Sequence, residues 1–338
     1  MERIYISSEI EEICNDYSSN LFLGKNSRFQ KPKERLKNLA SQIWHAYRSH
    51  VNDAIPWDKY FLYVRNIIKY YDDIICLKPS EFDSYQTNYF SHLTTDELQL
   101  KILNNNSFYE NIVWAMRYDS VRDTEYAPYI RKLGIKACVY CNAQFSLPTH
   151  GKGNNKVDIT TYEIDHYYPK SVYPFLCITF YNLAPSCGPC NRRKNDKHVK
   201  FCLYSELNDS VSLYPFHFIL NLESVAEYLI TTDKNTINFT LEANDELLNS
   251  HKVFHLDAIY DEHKDVAEEL VWKHKIYSVS YRNAVMTQFK DLFNMGDEEC
   301  YRLLFGTYPV TDHIHKRPLS LFMRDISEKL DEIFDSEY

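Results

Sequence analysis

Along the first third of the chain, apolar side chains recur at the i, i+3, i+4, i+7 spacing of an amphipathic helix. From Pro32 they fall at Leu36, Leu39, Ala40, Ile43, Ala46, Tyr47 and Val51, with the proline in a first turn where its missing N–H costs nothing. The same period predicts helices over Tyr60–Leu77, from Thr95, over Ser107–Asp119, and over Ala127–Leu133 with a stop at Gly134. Between Gly134 and Tyr204 that period is lost. Ala143–Leu147 and Ile159–Ile164 are predicted strands joined by a polar loop at 150–156, Phe175–Phe180 is a further short strand, and Asn191 to Val199 a polar helix. Helical texture then returns. Tyr228–Thr232 and Thr236–Leu241 are predicted to pair as a hairpin, and His255–Val285 to form one long helix, with Glu298–Leu304 and Leu319–Ile333 after it.

No internal repeat, low-complexity tract or long linker interrupts the chain. The changes of texture divide it into a helical domain over 1–130, a cysteine-rich segment over 131–205, and a mostly helical domain with a small hairpin over 206–338. The expected fold class is α+β, mostly helical around an irregular centre. With 44% hydrophobic and 25% charged residues the chain can bury a core, which excludes a disordered protein. It has 28 Tyr and 19 Phe against 7 Gly, which favours helix-rich packing with amphipathic tyrosines near surfaces.

The formal charge of −9 excludes a protein coated for non-specific adhesion to nucleic acid, because neutralising phosphates takes Lys and Arg. Any such contact must be local. Two stretches invert the balance. Lys25, Arg28, Lys31, Lys33, Arg35 and Lys37 stand against one Glu, and Arg192, Arg193, Lys194, Lys197 and Lys200 against one Asp. The first reads as a solvated helix start ahead of a DNA patch. The first residues lack a signal-peptide pattern, and no apolar run approaches the ~18 residues that a membrane span requires. A soluble protein in a reducing cytoplasm, with no membrane partner, is the expectation.

Four of the nine cysteines form two Cys-x-x-Cys pairs, Cys138/Cys141 and Cys187/Cys190. Each pair presents two sulfurs from one turn, so the four satisfy tetrahedral zinc and close it to chemistry. Such zinc is structural and supplies folding energy to an irregular segment. Cys14, Cys76, Cys177, Cys202 and Cys300 are scattered and read as small buried hydrophobes.

Between the pairs lies Glu163-Ile-Asp-His-Tyr-Tyr-Pro-Lys170. Asp165 offers a hard carboxylate oxygen suited to Mg²⁺ or Mn²⁺, and His166 is a base near neutral pH. Neighbours on a strand point to opposite faces, so the two act together only at a strand end or bend, which Pro169 favours. Asn191 follows Cys190 directly and provides a neutral hard oxygen. Asn195, four residues on, is the alternate ligand. Arg192, Arg193, Lys194 and Lys197 surround this helix start with positive charge suited to phosphate, and His198 adds a further candidate contact.

Asp165-His166, Asn182-Leu183 and Cys187-x-x-Cys190-Asn191-x-x-Lys194 together resemble the His-Asn-His (HNH) endonucleases, whose ββα-metal finger is often stapled by two Cys-x-x-Cys knuckles. The motif spans Cys138 to Lys197. The resemblance implies His166 as general base, Asp165 and Asn191 as ligands of one catalytic Mg²⁺ or Mn²⁺, Asn182 as brace of the loop that orients His166, and DNA as substrate. The stretches around Tyr162–Ser171, Phe180–Cys187, His255–His263 and His315–Ser320 are similar to bacterial HNH proteins of anti-phage cassettes. That similarity implies an ATPase partner that supplies or licenses DNA engagement. A zinc-stabilised module that binds nucleic acid or protein without chemistry is the alternative.

Overall fold

A computed structural model describes residues 1–23, 31–49, 55–149, 161–197, 199–243, 247, 250–309 and 311–335. Lys25, Arg28, Val51, the polar loop at 150–156, the start of the Ile159–Ile164 strand and His198 lie outside them. The fold is α+β, mostly helical with four two-stranded sheets among the described residues. Among them, no helix is long and apolar enough to cross a membrane. The chain divides into two units, one of Arg3–Leu133 and Pro148–Asp209, the other of Met1–Glu2, Gly134–Leu147 and Ser210–Tyr338.

In the first of these units the helical period forms α1 (Ser8–Tyr17), α2 (Pro32–Ser49), α3 (Trp57–Lys69) and α4 (Phe108–Ala115). α2 buries Leu36, Leu39, Ala40 and Ile43, as its spacing requires, and packs on α3. The predicted Tyr60–Leu77 helix is broken. Tyr70 leaves helical geometry at φ −100° and ψ 17°, and a short helix Tyr71–Ile75 follows. α4 begins where expected because Ser107 and Glu110 cap each other's backbone N–H groups.

The central hairpin differs from expectation. Strand β1 (Glu163–His166) pairs antiparallel with β2 (Leu183–Ser186), in register Glu163 with Ser186 and His166 with Leu183. Ala143–Leu147 contributes only an isolated bridge between Phe145 and Ala137, and Phe175–Phe180 lies across two 3₁₀ turns rather than a strand. Pro185 makes β2 hard to read in sequence: it cannot donate to a ladder, and it sits opposite Ile164. Helix α5 (Gly188–Lys194) follows, shorter than the predicted Asn191–Val199.

Tyrosines in this unit sit deeper than expected. Tyr17, Tyr60 and Tyr118 are buried, their hydroxyls donating to the carbonyls of Ile178, Glu97 and Ile164 at 2.8, 2.7 and 3.1 Å. Those bonds remove the cost that would keep a phenol at the surface. Cys14 and Cys76, expected as separate small hydrophobes, are joined in a disulfide because α1 lies beside the Tyr71–Ile75 helix, a meeting hidden by a sequence separation of 62. Reducing surroundings would open this bond.

The other unit contains the C-terminal hairpin, but with different strands from those predicted. β3 (Phe216–Leu220) pairs with β4 (Phe239–Ala243), and Tyr228–Thr232 falls largely within helix α6 (Leu222–Thr231). Asn221 decides this by capping α6, its side chain accepting from Ser224 N–H at 3.0 Å. β3 buries Phe216, Phe218 and Leu220 in strict alternation. The predicted His255–Val285 helix is several pieces: His255, at φ +54°, only caps the first, and the breaks fall between Asp261 and Lys264 and again after Ile276, where Tyr277 leaves helical geometry at φ −94° and ψ 73°. Its longest central piece is α7 (Lys264–Ile276), which packs on α8 (Ser320–Asp335).

Candidate active site and cysteine quartet

The β1–β2 hairpin ends on Asp165 and His166, both buried. Their side chains find different partners, as alternation along a strand requires. The His166 ring lies beside the Tyr118 ring, centroids 4.8 Å apart, and its Nε2 is 3.0 Å from the Cys177 carbonyl oxygen. A carbonyl only accepts, so Nε2 carries the proton and the lone pair is assigned to Nδ1. Burial foremost, with the positive charge of Lys170, holds the imidazole pKa well below its ordinary value. His166 is therefore neutral at physiological pH.

The carbonyl that aims His166 belongs to a loop fixed from several sides. Asn182 is fully buried; its Oδ1 accepts from Tyr168 N–H at 2.8 Å, and its Nδ2 donates to the Leu176 and Tyr168 carbonyls at 3.0 and 3.2 Å. Thr179 Oγ1 donates to the Ile74 carbonyl at 2.8 Å, Tyr17 donates to the Ile178 carbonyl, and Phe175 stacks on Phe90 at 4.0 Å. The helices before residue 133 thus hold the loop that orients the histidine.

Helix α5 carries the second group of residues. Asn191 Nδ2 donates to Glu163 Oε2 at 2.7 Å, which assigns the amide so that its Oδ1 is not the group facing Glu163. Asn195 ends the helix at φ +45° and ψ −131°, so it does not continue the Asn191 face as an unbroken helix would. Asp165, His166, Lys170, Asn191, Arg192, Asn195 and Asp196 nevertheless line one cavity of about 190 Å³.

Of the four cations expected at phosphate, Arg192, Arg193 and Lys197 are exposed, with Arg192 Nη1 3.7 Å from Glu163. Lys194 is not placed for that task. It is fully buried, its Nζ 2.6 Å from the His166 carbonyl and 3.0 Å from Asp165 Oδ2. The helical turn that exposes Arg192 and Arg193 rotates Lys194 inward, where the buried carboxylate compensates its charge.

No protein-family model, curated protein or solved structure matches the chain. The chemistry of these residues therefore has to be read from their geometry.

Sequence reasoning missed Tyr118, the Cys177 backbone, Lys170 and the role of Glu163. Only Glu163 had a local signal, since it lies two residues before Asp165 on the same strand face. Tyr118 is one of 28 tyrosines and acts from 46 residues away through its bond to Ile164, so no local pattern marks it.

The two Cys-x-x-Cys pairs meet. The sulfurs of Cys138, Cys141, Cys187 and Cys190 all lie within 4.8 Å of one another, and all four residues are buried. Tetrahedral zinc, with Zn–S of about 2.3 Å, places sulfurs about 3.8 Å apart, so the quartet is close to the geometry a zinc ion needs. Local structure shapes each knuckle. Cys138 N–H donates to the Gln144 carbonyl and Asn142 N–H to the Cys138 carbonyl, both at 2.8 Å, while Asn142 takes φ +51° to close the turn. Cys187 is the N-cap residue of α5, and Asn191 N–H donates to its carbonyl at 3.0 Å. A metal bound at the quartet therefore grips the root of the helix that carries Asn191 and Lys194.

Proposed function

We propose that this protein is a divalent-metal-dependent endonuclease of the HNH kind that hydrolyses phosphodiester bonds in DNA. The observation that carries the reading is the His166 imidazole: buried, neutral, its Nε2–H held on the Cys177 carbonyl at 3.0 Å, and lining one cavity with Asp165, Asn191 and Asn195. A structural zinc belongs to the cysteine quartet. Asp165 and Asn191 contribute a carboxylate and an amide oxygen, a hard donor set suited to Mg²⁺ or Mn²⁺, with Asn195 as the alternate amide. That ion, when bound, supplies stabilisation of the charge that develops on the phosphate and the leaving oxygen.

In this scheme His166 Nδ1 takes a proton from water as the water oxygen bonds to phosphorus, and the bond from phosphorus to the leaving oxygen breaks. Asn182 holds the loop that orients the ring. Arg192, Arg193 and Lys197 attract the phosphates on either side. Lys194 has a positioning role: its ammonium fixes the Asp165 carboxylate and the backbone of His166 in one geometry. The acidic chain as a whole favours a partner that delivers DNA, and we take an ATPase in a bacterial anti-phage setting as that partner.

Purified protein with Mg²⁺ or Mn²⁺ should nick or linearise plasmid, and His166→Ala should abolish cleavage while zinc content stays unchanged and the protein, its midpoint lowered by the lost buried ring, remains folded at the assay temperature. Cleavage that persists in the variant would sink the assignment. DNA binding without cleavage by the wild type would favour a zinc-stabilised binding module.

A further inference from the structure

Helices α2 and α3 pack side by side and leave a shallow groove of about 360 Å³ on the surface of their unit, lined by Lys37, Ser41 and Trp44 of α2 and by Phe61, Arg65 and Ile68 of α3. Lys37, Ser41, Trp44 and Arg48 recur at i, i+4, i+7 and i+11, and Phe61, Arg65 and Ile68 at i, i+4 and i+7, so each set forms one stripe. Trp44 is 41% exposed, and its ring lies 5.2 Å from that of Phe61 and 5.8 Å from that of Tyr47. The Arg65 guanidinium lies 5.7 Å from the Phe61 ring centroid. A core does not need these rings, because the buried sides of both helices are already filled by Leu36, Leu39, Ile43, Tyr60, Val64 and Ile67.

The charge here opposes that of the chain. α2 carries four Lys and Arg against one carboxylate and α3 three against one, although the whole protein is at −9. Neither Lys37 nor Arg65 is in an ion pair among the described residues. Exposed aromatic faces interleaved with cations suit an anionic polymer that carries its own flat rings. A duplex offers the phosphates but hides its base faces within the stack. Unpaired bases present both.

We propose that the α2–α3 groove binds single-stranded DNA, with a base stacked on Trp44 beside Phe61, and Lys37 and Arg65 on the flanking phosphates. The choice of DNA rests on the nuclease reading of the chain; the stacking surface itself does not. The groove then holds an unpaired strand on the unit that also carries His166.

The test is a titration of the full-length protein, without added Mg²⁺ or Mn²⁺, with an oligo-dT of roughly 12 nucleotides, following intrinsic tryptophan fluorescence and the anisotropy of a labelled strand. The expected result is quenching on binding. Trp44→Phe should bind but lose most of the quench, while Trp44→Ala, through the lost stacking, and the pair Lys37→Glu/Arg65→Glu, through the lost phosphate contacts, should each weaken binding by about tenfold or more. These are surface changes, and unaltered thermal midpoints will show that the variants fold. Wild-type affinity in both variants overturns the proposal, as does failure of the wild type to bind the strand. Duplex of the same length binding as tightly as oligo-dT overturns the single-strand assignment, and oligo-rU binding and quenching as strongly overturns the DNA assignment. Binding that follows this pattern in a protein that never cuts DNA leaves the groove standing and removes the nuclease; cleavage with unaffected binding in the groove variants does the reverse.

Discussion

Lys194→Met would remove the ammonium that joins Asp165 to the backbone of His166. The lysine side chain is 0% exposed and that of Asp165 7% exposed, so water cannot replace the lost partner. Removing one member of such a pair leaves a buried, uncompensated charge and costs about 3–5 kcal/mol, into which the lost charged bond to the His166 carbonyl is already folded. In a unit of this size that lowers the thermal midpoint by on the order of 10 °C. Asp165→Asn alone strands the buried ammonium and should destabilise the protein as well. The double variant buries no charge and should recover much of the loss, with a coupling energy of about 2 kcal/mol or more. Circular dichroism melts of the four proteins, with zinc content checked in each, measure this cycle. A coupling under about 0.5 kcal/mol, or a Lys194→Met midpoint equal to wild type, would refute the claim that the ion pair holds the site together.

Asn182→Ala removes three hydrogen bonds inside a closed environment and should cost about 2–4 kcal/mol, because Tyr168 N–H loses its acceptor. Asn182→Asp should be no better, since its carboxylate would face the Leu176 and Tyr168 carbonyls; an unchanged melting midpoint in either variant would show that the loop does not depend on this residue. For the cysteine quartet, elemental analysis should find about one zinc per chain, and Cys138→Ser and Cys187→Ser should each lower it and the melting midpoint. Full zinc in both variants would remove the quartet as the binding site.

The sequence by itself determined what depends on neighbours within a few residues. The helix period placed α2, and the Ser107 and Glu110 caps started α4, because these are local bonds formed wherever those residues stand. The Cys-x-x-Cys spacing likewise shaped each knuckle, and the Asp165-His166 pair was visible because its two members are adjacent. Tertiary structure decided everything that needs a partner far along the chain. It put Pro185 in the strand beside β1, chose Lys194 over its basic neighbours for burial, joined Cys14 to Cys76, and turned Tyr118 and the Cys177 carbonyl onto His166. None of these has a local signature, since each depends on a group that only the folded chain brings near: a carboxylate that offsets the cost of burying Lys194, a second sulfur for Cys14, a ring and a carbonyl for His166.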